Sequence, residues 1–227
     1  MTIILTNDDG IDAPGIRALQ QAISDKTTTV IVAPHQQYSG CGHQVTTHQG
    51  IKLAKRSPNE YTVEGTPADC TRIAITKIAT NTKLILSGIN AGGNLGTDVY
   101  TSGTVAAVRE AAIHGIPGIA ISHWVKNPLV IDWSVATRWA SQVLEDLLPR
   151  PLPPGSFWNV NLPHLEADQP EPKLILCEPS VAPLPVDYRV EGDIYYYQGE
   201  YAKRDRAPGT DVDICFGGNI AVTLIRL

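Results

Sequence analysis

The sequence predicts an α/β protein: a layered core with a mostly parallel sheet over residues 1–150, then a smaller β-rich part over residues 151–227. Two observations carry this. In the first part, short apolar, β-branched segments alternate with longer amphipathic ones, the rhythm of βαβ units. In the second, beyond the proline-rich "PRPLPPGS", apolar segments follow one another without long helical stretches between them. A length of 227 residues suits one large domain or a core with an appendage.

Each element has its own signal. "TIILT" is short and apolar, as a strand buried on both faces should be. "APGIRALQQAIS" places Ile16, Leu19, Gln20 and Ile23 on one side of a helix, and "TTVIVAP" is a second strand stopped by Pro34. The crossover between them is expected to be right-handed. "HQQYSGCGHQVTTHQG" is polar and reads as a loop. "YTVEG" is a strand; "TPADCTRIAITKIA" is a helix with Thr66 as cap and Pro67 at its first position. "KLILSGINAGGNLGTDVYTSGT" is a strand running into a glycine-rich loop, and "VAAVREAAIHG" a helix closed by Gly115. "IPGIAIS" is a strand and "DWSVATRWASQVLEDLL" an amphipathic helix. Past the proline hinge, "FWNVNLP", "KLILCEPS" and "GNIAVTLIRL" read as strands. "VDYRVEGDIYYYQGEYAKRD" alternates like a hairpin with an exposed aromatic face.

Composition narrows the function. A net charge of −5 and a pI near 5.6 argue against a nucleic-acid partner, although a pocket for one phosphate is compatible with them. The cysteines, Cys41, Cys70, Cys177 and Cys215, form no CxxC pair, so no zinc site is expected. The apolar start is broken by Asn7-Asp8-Asp9, unlike a secretory leader, and no run approaches the ~18 apolar residues of a membrane span. The expectation is a cytoplasmic protein with reduced thiols and no membrane partner.

Three polar clusters follow three expected core strands: Asn7-Asp8-Asp9-Gly10, Tyr38-Ser39-Gly40 and Ser87-Gly88-Ile89-Asn90. Ligands of open α/β sheets sit beyond the carboxyl ends of the strands. Carboxylate, hydroxyl and amide oxygens converging there suit a hard divalent cation such as Mg²⁺ or Mn²⁺. Such an ion relieves the repulsion between adjacent Asp8 and Asp9. The bland reading stands beside it: an Asp can cap the next helix, and Asp-Asp-Gly is ordinary turn chemistry. Ser102, Gly103 and Thr104 open a helix, where free N–H groups favour an anion. Taken alone, Ser102 or Thr104 reads as a simple N-cap. A cation site beside an anion site points to phosphate-ester chemistry. His43, in the Ser39 loop, is a candidate substrate contact. His114, ahead of Gly115, reads as a contact with the helix C-terminus. Tyr195, Tyr196 and Tyr197 suit either base stacking or a partner subunit, with the partner favoured.

At these residues the chain resembles the SurE survival-protein family, metal-dependent nucleoside monophosphate phosphatases. The shared segments are "ILTNDDGIDAPGI", "VAPHQQYSG", "GTPADC", "LILSGINAGGNLGTDV", "SGTVAAVREA", "GIPGIAIS" and "NVNLP". The resemblance implies a Rossmann-like core and a 5′-nucleotidase that also takes 3′-nucleoside monophosphates. It implies one divalent cation per subunit, Mg²⁺ or Mn²⁺, on Asp8, Asp9, Ser39 and Asn90, with Asp8 and Asp9 catalytic. It further implies a phosphate site from Asn94, Ser102, Gly103 and Thr104; Asn7 and His43 are further candidate substrate contacts. A homodimer or homotetramer with exchanged C-terminal elements is implied as well. Two departures stand out. Thr101 occupies the place of a family Tyr, which here is Tyr100, and the chain ends in "GNIAVTLIRL" rather than a "GYVSVTPL"-like segment.

Overall fold

A computed structural model describes residues 2–24, 28–126, 128–166 and 169–227. Its strands are β1 (Thr2–Thr6), β2 (Thr29–Pro34), β3 (Leu53–Ser57), β4 (Glu60–Val63), β5 (Thr82–Ala91), β6 (Gly118–His123), β7 (Ser156–Leu162), β8 (Leu174–Leu176), β9 (Tyr188–Glu191), β10 (Ile194–Tyr197) and β11 (Ile220–Arg226). Its α-helices are α1 (Pro14–Ile23), α2 (Pro67–Ile73), α3 (Gly103–Ile113), α4 (Trp133–Leu147) and α5 (Asp211–Phe216). Among the described residues, nine strands form one sheet in the order β3-β4-β2-β1-β5-β6-β7-β11-β8. It is mostly parallel, and only β3–β4 and β7–β11 pair antiparallel. The fold is therefore α/β, with a small antiparallel hairpin, β9–β10, standing off the sheet.

The central strands are apolar throughout because both faces are covered. Ile3 and Leu5 of β1 pack with Ile16 and Leu19 of α1 and Trp139 of α4. Ile4, pointing the other way, packs with Cys70 of α2 and Val105 and Val108 of α3. Each such side chain taken out of water contributes roughly 1.5–3 kcal/mol. The α1 helix lies so close to β5 that a Cβ on Gly15 would sit 1.9 Å from the Ile89 carbonyl oxygen, so only glycine fits there.

Three details differ from the sequence pattern. The strand β3, "LAKRS", is almost wholly exposed and carries no alternation; it exists because β4 offers it a free edge. The helix after Thr66 is an α-helix only to Ile73 and continues as a π turn over Ala74–Ile78. The short α5 lies between segments read as strands. The sheet also runs past residue 150: β7, β11 and β8 come from residues 151–227 and complete it. Among the described residues, no helix is long and apolar enough to cross a membrane.

Candidate active site

The site grows out of the end of β1. Asn7 Nδ2 donates to the Gly10 carbonyl at 2.7 Å, and Gly10 adopts a φ of +99°, which closes a tight turn. The turn sends Asp8 and Asp9 out at the carboxyl edge of the sheet. Asp8 is 4% exposed and lies against the first turn of α3, where the Thr104 hydroxyl donates to its Oδ1. A Cβ on Gly103 would be 2.8 Å from Asp8 Cβ, so that position has no room for a side chain. Burial, reinforced by the charge of Asp9 and opposed by the Thr104 hydrogen bonds, pushes the Asp8 carboxyl up to about 6.

The other oxygens face the same space. Asp9 Oδ2 accepts from the Ala91 N–H at 3.1 Å. Gln37 Nε2 donates to Ser39 Oγ at 2.8 Å and reaches Asp9 Oδ1 at 3.4 Å, so a single amide group spans the two. Asn90 Nδ2 donates to the Gly92 carbonyl at 2.8 Å, which leaves its side-chain oxygen as the group on offer. Asp8, Asp9, Ser39 and Asn90 line one cleft of about 320 Å³, together with Asn94 and Ser102. Among the described residues, no three His, Cys, Asp or Glu side chains gather as a metal cluster. The donor set is instead two carboxylates plus neutral oxygens, which fits a hard cation that keeps some of its waters. A larger cavity of about 690 Å³, between Tyr100, Arg109, Val181 and Arg226, has no comparable set of converging oxygens.

The remaining expected residues divide. Ser102 lines the cleft and also caps α3, its Oγ accepting from the Val105 N–H at 3.1 Å. Gly103 and Thr104 sit behind Asp8 and support it. Asn94 lines the cleft while its Nδ2 donates to Ser122 Oγ at 2.7 Å. Asn7 is 1% exposed and serves the turn. His43 is not among the residues that line the cleft; its Nε2 lies 2.7 Å from Glu110 Oε2. His114 Nε2 meets Glu110 as well, at 3.1 Å.

Sequence reasoning passed over the residues that hold the glycine-rich loop. Asp98 Oδ2 accepts from the Leu95 N–H at 3.0 Å, Tyr201 Oη at 2.7 Å and Arg204 Nη1 at 2.6 Å. Asp211 Oδ2 accepts from the Gly96 N–H at 2.6 Å. Asn161 Oδ1 accepts from the Asn94 N–H at 2.7 Å, and Asn159 Nδ2 donates to the Asn94 carbonyl at 2.9 Å. A signal for the last pair existed. Asn159 and Asn161, two apart in an apolar strand, must share one face of it. Leu184 and Tyr201 form a further wall of the cleft.

An open, mostly parallel α/β sheet with an acidic, oxygen-lined cleft at the carboxyl ends of its strands defines a layered α/β protein, with the cleft where such sheets place their ligands. The chain belongs to the SurE family: the family model described as "Survival protein SurE" matches residues 3–180. It is 62% identical over 227 residues, all of both chains, to "Putative 5'-nucleotidase alr3139" of Nostoc sp. (strain PCC 7120). It is 39% identical over 242 residues to "5'-nucleotidase SurE" of Heliobacterium modesticaldum, covering 100% of this chain and 86% of that one. The crystal structure of the SurE protein from Aquifex aeolicus superposes with a TM-score of 0.87 at 32% identity, covering 100% of this chain and 93% of the other.

Proposed function

We propose that this protein is a divalent-cation-dependent phosphatase, a 5′-nucleotidase that hydrolyses nucleoside 5′-monophosphates, and 3′-monophosphates too, to nucleoside and phosphate. The observation that carries this reading is the meeting of Asp8, Asp9, Ser39 and Asn90 in one cleft, with Asp8 buried beside a like charge. The names of the relatives from Nostoc and Heliobacterium support the reaction class.

In this reading Asp8, Asp9, Ser39 and Asn90 would hold one Mg²⁺ or Mn²⁺, which would supply Lewis-acid activation of the phosphate ester and of water. Asp9, less buried than Asp8, would be the carboxylate nearer the water side of the cleft. Ser102, which lines the cleft at the N-terminus of α3, orients the phosphate. Leu184 and Tyr201 offer an apolar wall to the nucleoside. The exposed β9–β10 hairpin, with Tyr195 67% and Ile194 57% exposed, is the surface for a homodimer or homotetramer. The working compartment is the cytoplasm.

The test is phosphate release from a panel of 5′- and 3′-nucleoside monophosphates and simple phosphate esters, each with Mg²⁺, Mn²⁺ or a chelator. Release that needs the cation and favours nucleotides is the expected result. Release indifferent to the chelator refutes the metal assignment.

A further inference from the structure

The loop that carries Ser39 has little of its own to hold it. Residues 35–52 form no helix or strand and are half-buried or exposed. Its conformation rests on ties to other elements. The Tyr38 N–H donates to the Asp8 carbonyl at 2.7 Å, and the Gly42 N–H to the Thr101 carbonyl at 2.9 Å. Thr66 Oγ1 donates to the Gln44 carbonyl at 2.6 Å, while Thr46 gives its N–H and hydroxyl to Asp69 at 2.9 and 2.7 Å. Between these lies a second tie from a loop side chain to a buried carboxylate, His43 to Glu110.

Glu110 is a hub. Its side chain is wholly buried, and both of its oxygens are taken. Oε2 meets His43 at 2.7 Å; Oε1 accepts from Arg72 Nε of α2 at 2.6 Å and meets His114 Nε2 at 3.1 Å. Burial opposes its charge, but the hydrogen bonds and charges of His43 and Arg72 outweigh it and hold the carboxyl down at about 2. Glu110 lies six residues after Thr104 on α3, roughly 9 Å along a rigid helix. Thr104 is the residue that seats Asp8. One helix therefore indexes both Asp8 and the Ser39 loop.

We infer that Glu110 and His43 are positioning residues that set Ser39 in register with Asp8 and Asp9. Neither is among the residues that line the cleft. The inference rests on the proposed metal site, and its test separates the two. Amide hydrogen exchange over residues 37–46 is measured in the cation-free protein, and Mn²⁺ affinity by titration calorimetry, for the native chain, His43→Ala and His43→Gln. Gln keeps an N–H donor near the position of Nε2. His43→Ala is expected to speed exchange over 37–46 about tenfold and to weaken Mn²⁺ binding about 10–100-fold, the usual range for residues that orient metal ligands. His43→Gln restores most of both. Glu110→Gln is expected to act in the same direction, and the His43 variants decide the matter if that protein does not fold. Native exchange in His43→Ala overturns the inference, and so does faster exchange with native Mn²⁺ affinity. A native protein that binds no Mn²⁺ sinks the metal reading instead, and exchange alone then decides whether His43 fixes the loop.

Discussion

Two buried carboxyl groups lie against α3, Asp8 at its first turn and Glu110 along its flank, and their surroundings push them in opposite directions. Both are largely out of water, which penalises the charged form in each. Glu110 answers with His43 and Arg72 and is held down at about 2. Asp8 has the neutral Thr104 hydroxyl and, beside it, a second negative group in Asp9, and it rises to about 6. The difference separates a carboxylate held for architecture from one proposed for function. The fold neutralises the acid it keeps for architecture. It leaves short of positive charge the acid that borders the cleft, which is where an incoming cation would be stabilised most.

The sharpest way to break this contrast is Asp8→Asn. The amide keeps the shape and the Thr104 contact but removes the charge. Turnover of adenosine monophosphate with Mn²⁺ is expected to fall on the order of 10³-fold, about 4 kcal/mol. The cation-free protein should be no less stable than the native one, because a buried and underpaired charge has gone. Phosphate release and thermal unfolding check the two halves, and near-normal turnover removes Asp8 from the chemistry.

The contrast also predicts opposite pH slopes. Asp8 has a folded value near 6 against 3.8 when unfolded, so between these values the folded chain holds a proton that the unfolded chain has lost. Stability therefore falls as pH rises through that window and levels off above it, by about 3 kcal/mol for this group. The check is the difference between the native chain and Asp8→Asn in denaturant titrations without divalent cation; parallel curves from pH 4 to 6.5 contradict it. Glu110 does the reverse. Its folded value near 2 lies below 4.5, so its contribution is present above pH 4.5 and is lost as pH falls toward 2. Arg72 and His114 are about two-fifths exposed, so solvent screening trims the effect to about 2 kcal/mol. Glu110→Gln should remove that much near neutral pH and flatten the acid limb. A variant as stable as the native chain at pH 7 demotes the hub.

The asymmetry marks where the sequence could be read. The central strands were legible because burial on both faces leaves an unbroken apolar run, as in "TIILT" and "KLILSGIN". The Asp8–Asp9 pair was legible because its unusual feature is local: two acids at the end of a strand, before a glycine. Glu110 was not. In "VAAVREAAIHG" it looks like an ordinary polar residue on a helix, and its partners come from α2 and a loop more than sixty residues upstream. His43 reads as a substrate contact for the same reason: spacing gives the loop a histidine but not its partner Glu110. The strand β3 stayed invisible because an edge strand of exposed polar residues has no burial to impose a period.

The smallest effect separates support from contact at the opposite end of α3. Ser102 caps the helix and also faces the cleft, so Ser102→Ala removes both roles at once. Loss of the cap is expected to lower stability by about 1 kcal/mol. Vanadate affinity should fall severalfold while Mn²⁺ affinity changes less, because the proposed phosphate contact is lost while Asp8 keeps its Thr104 bond. Ser102→Gly, which typically weakens an N-cap by only a few tenths of a kcal/mol, should lose vanadate affinity to the same degree with most of the stability retained. If vanadate and Mn²⁺ affinity fall together in both variants, Ser102 acts through the first turn of α3 and the seat of Asp8, and its place on the phosphate must be given up.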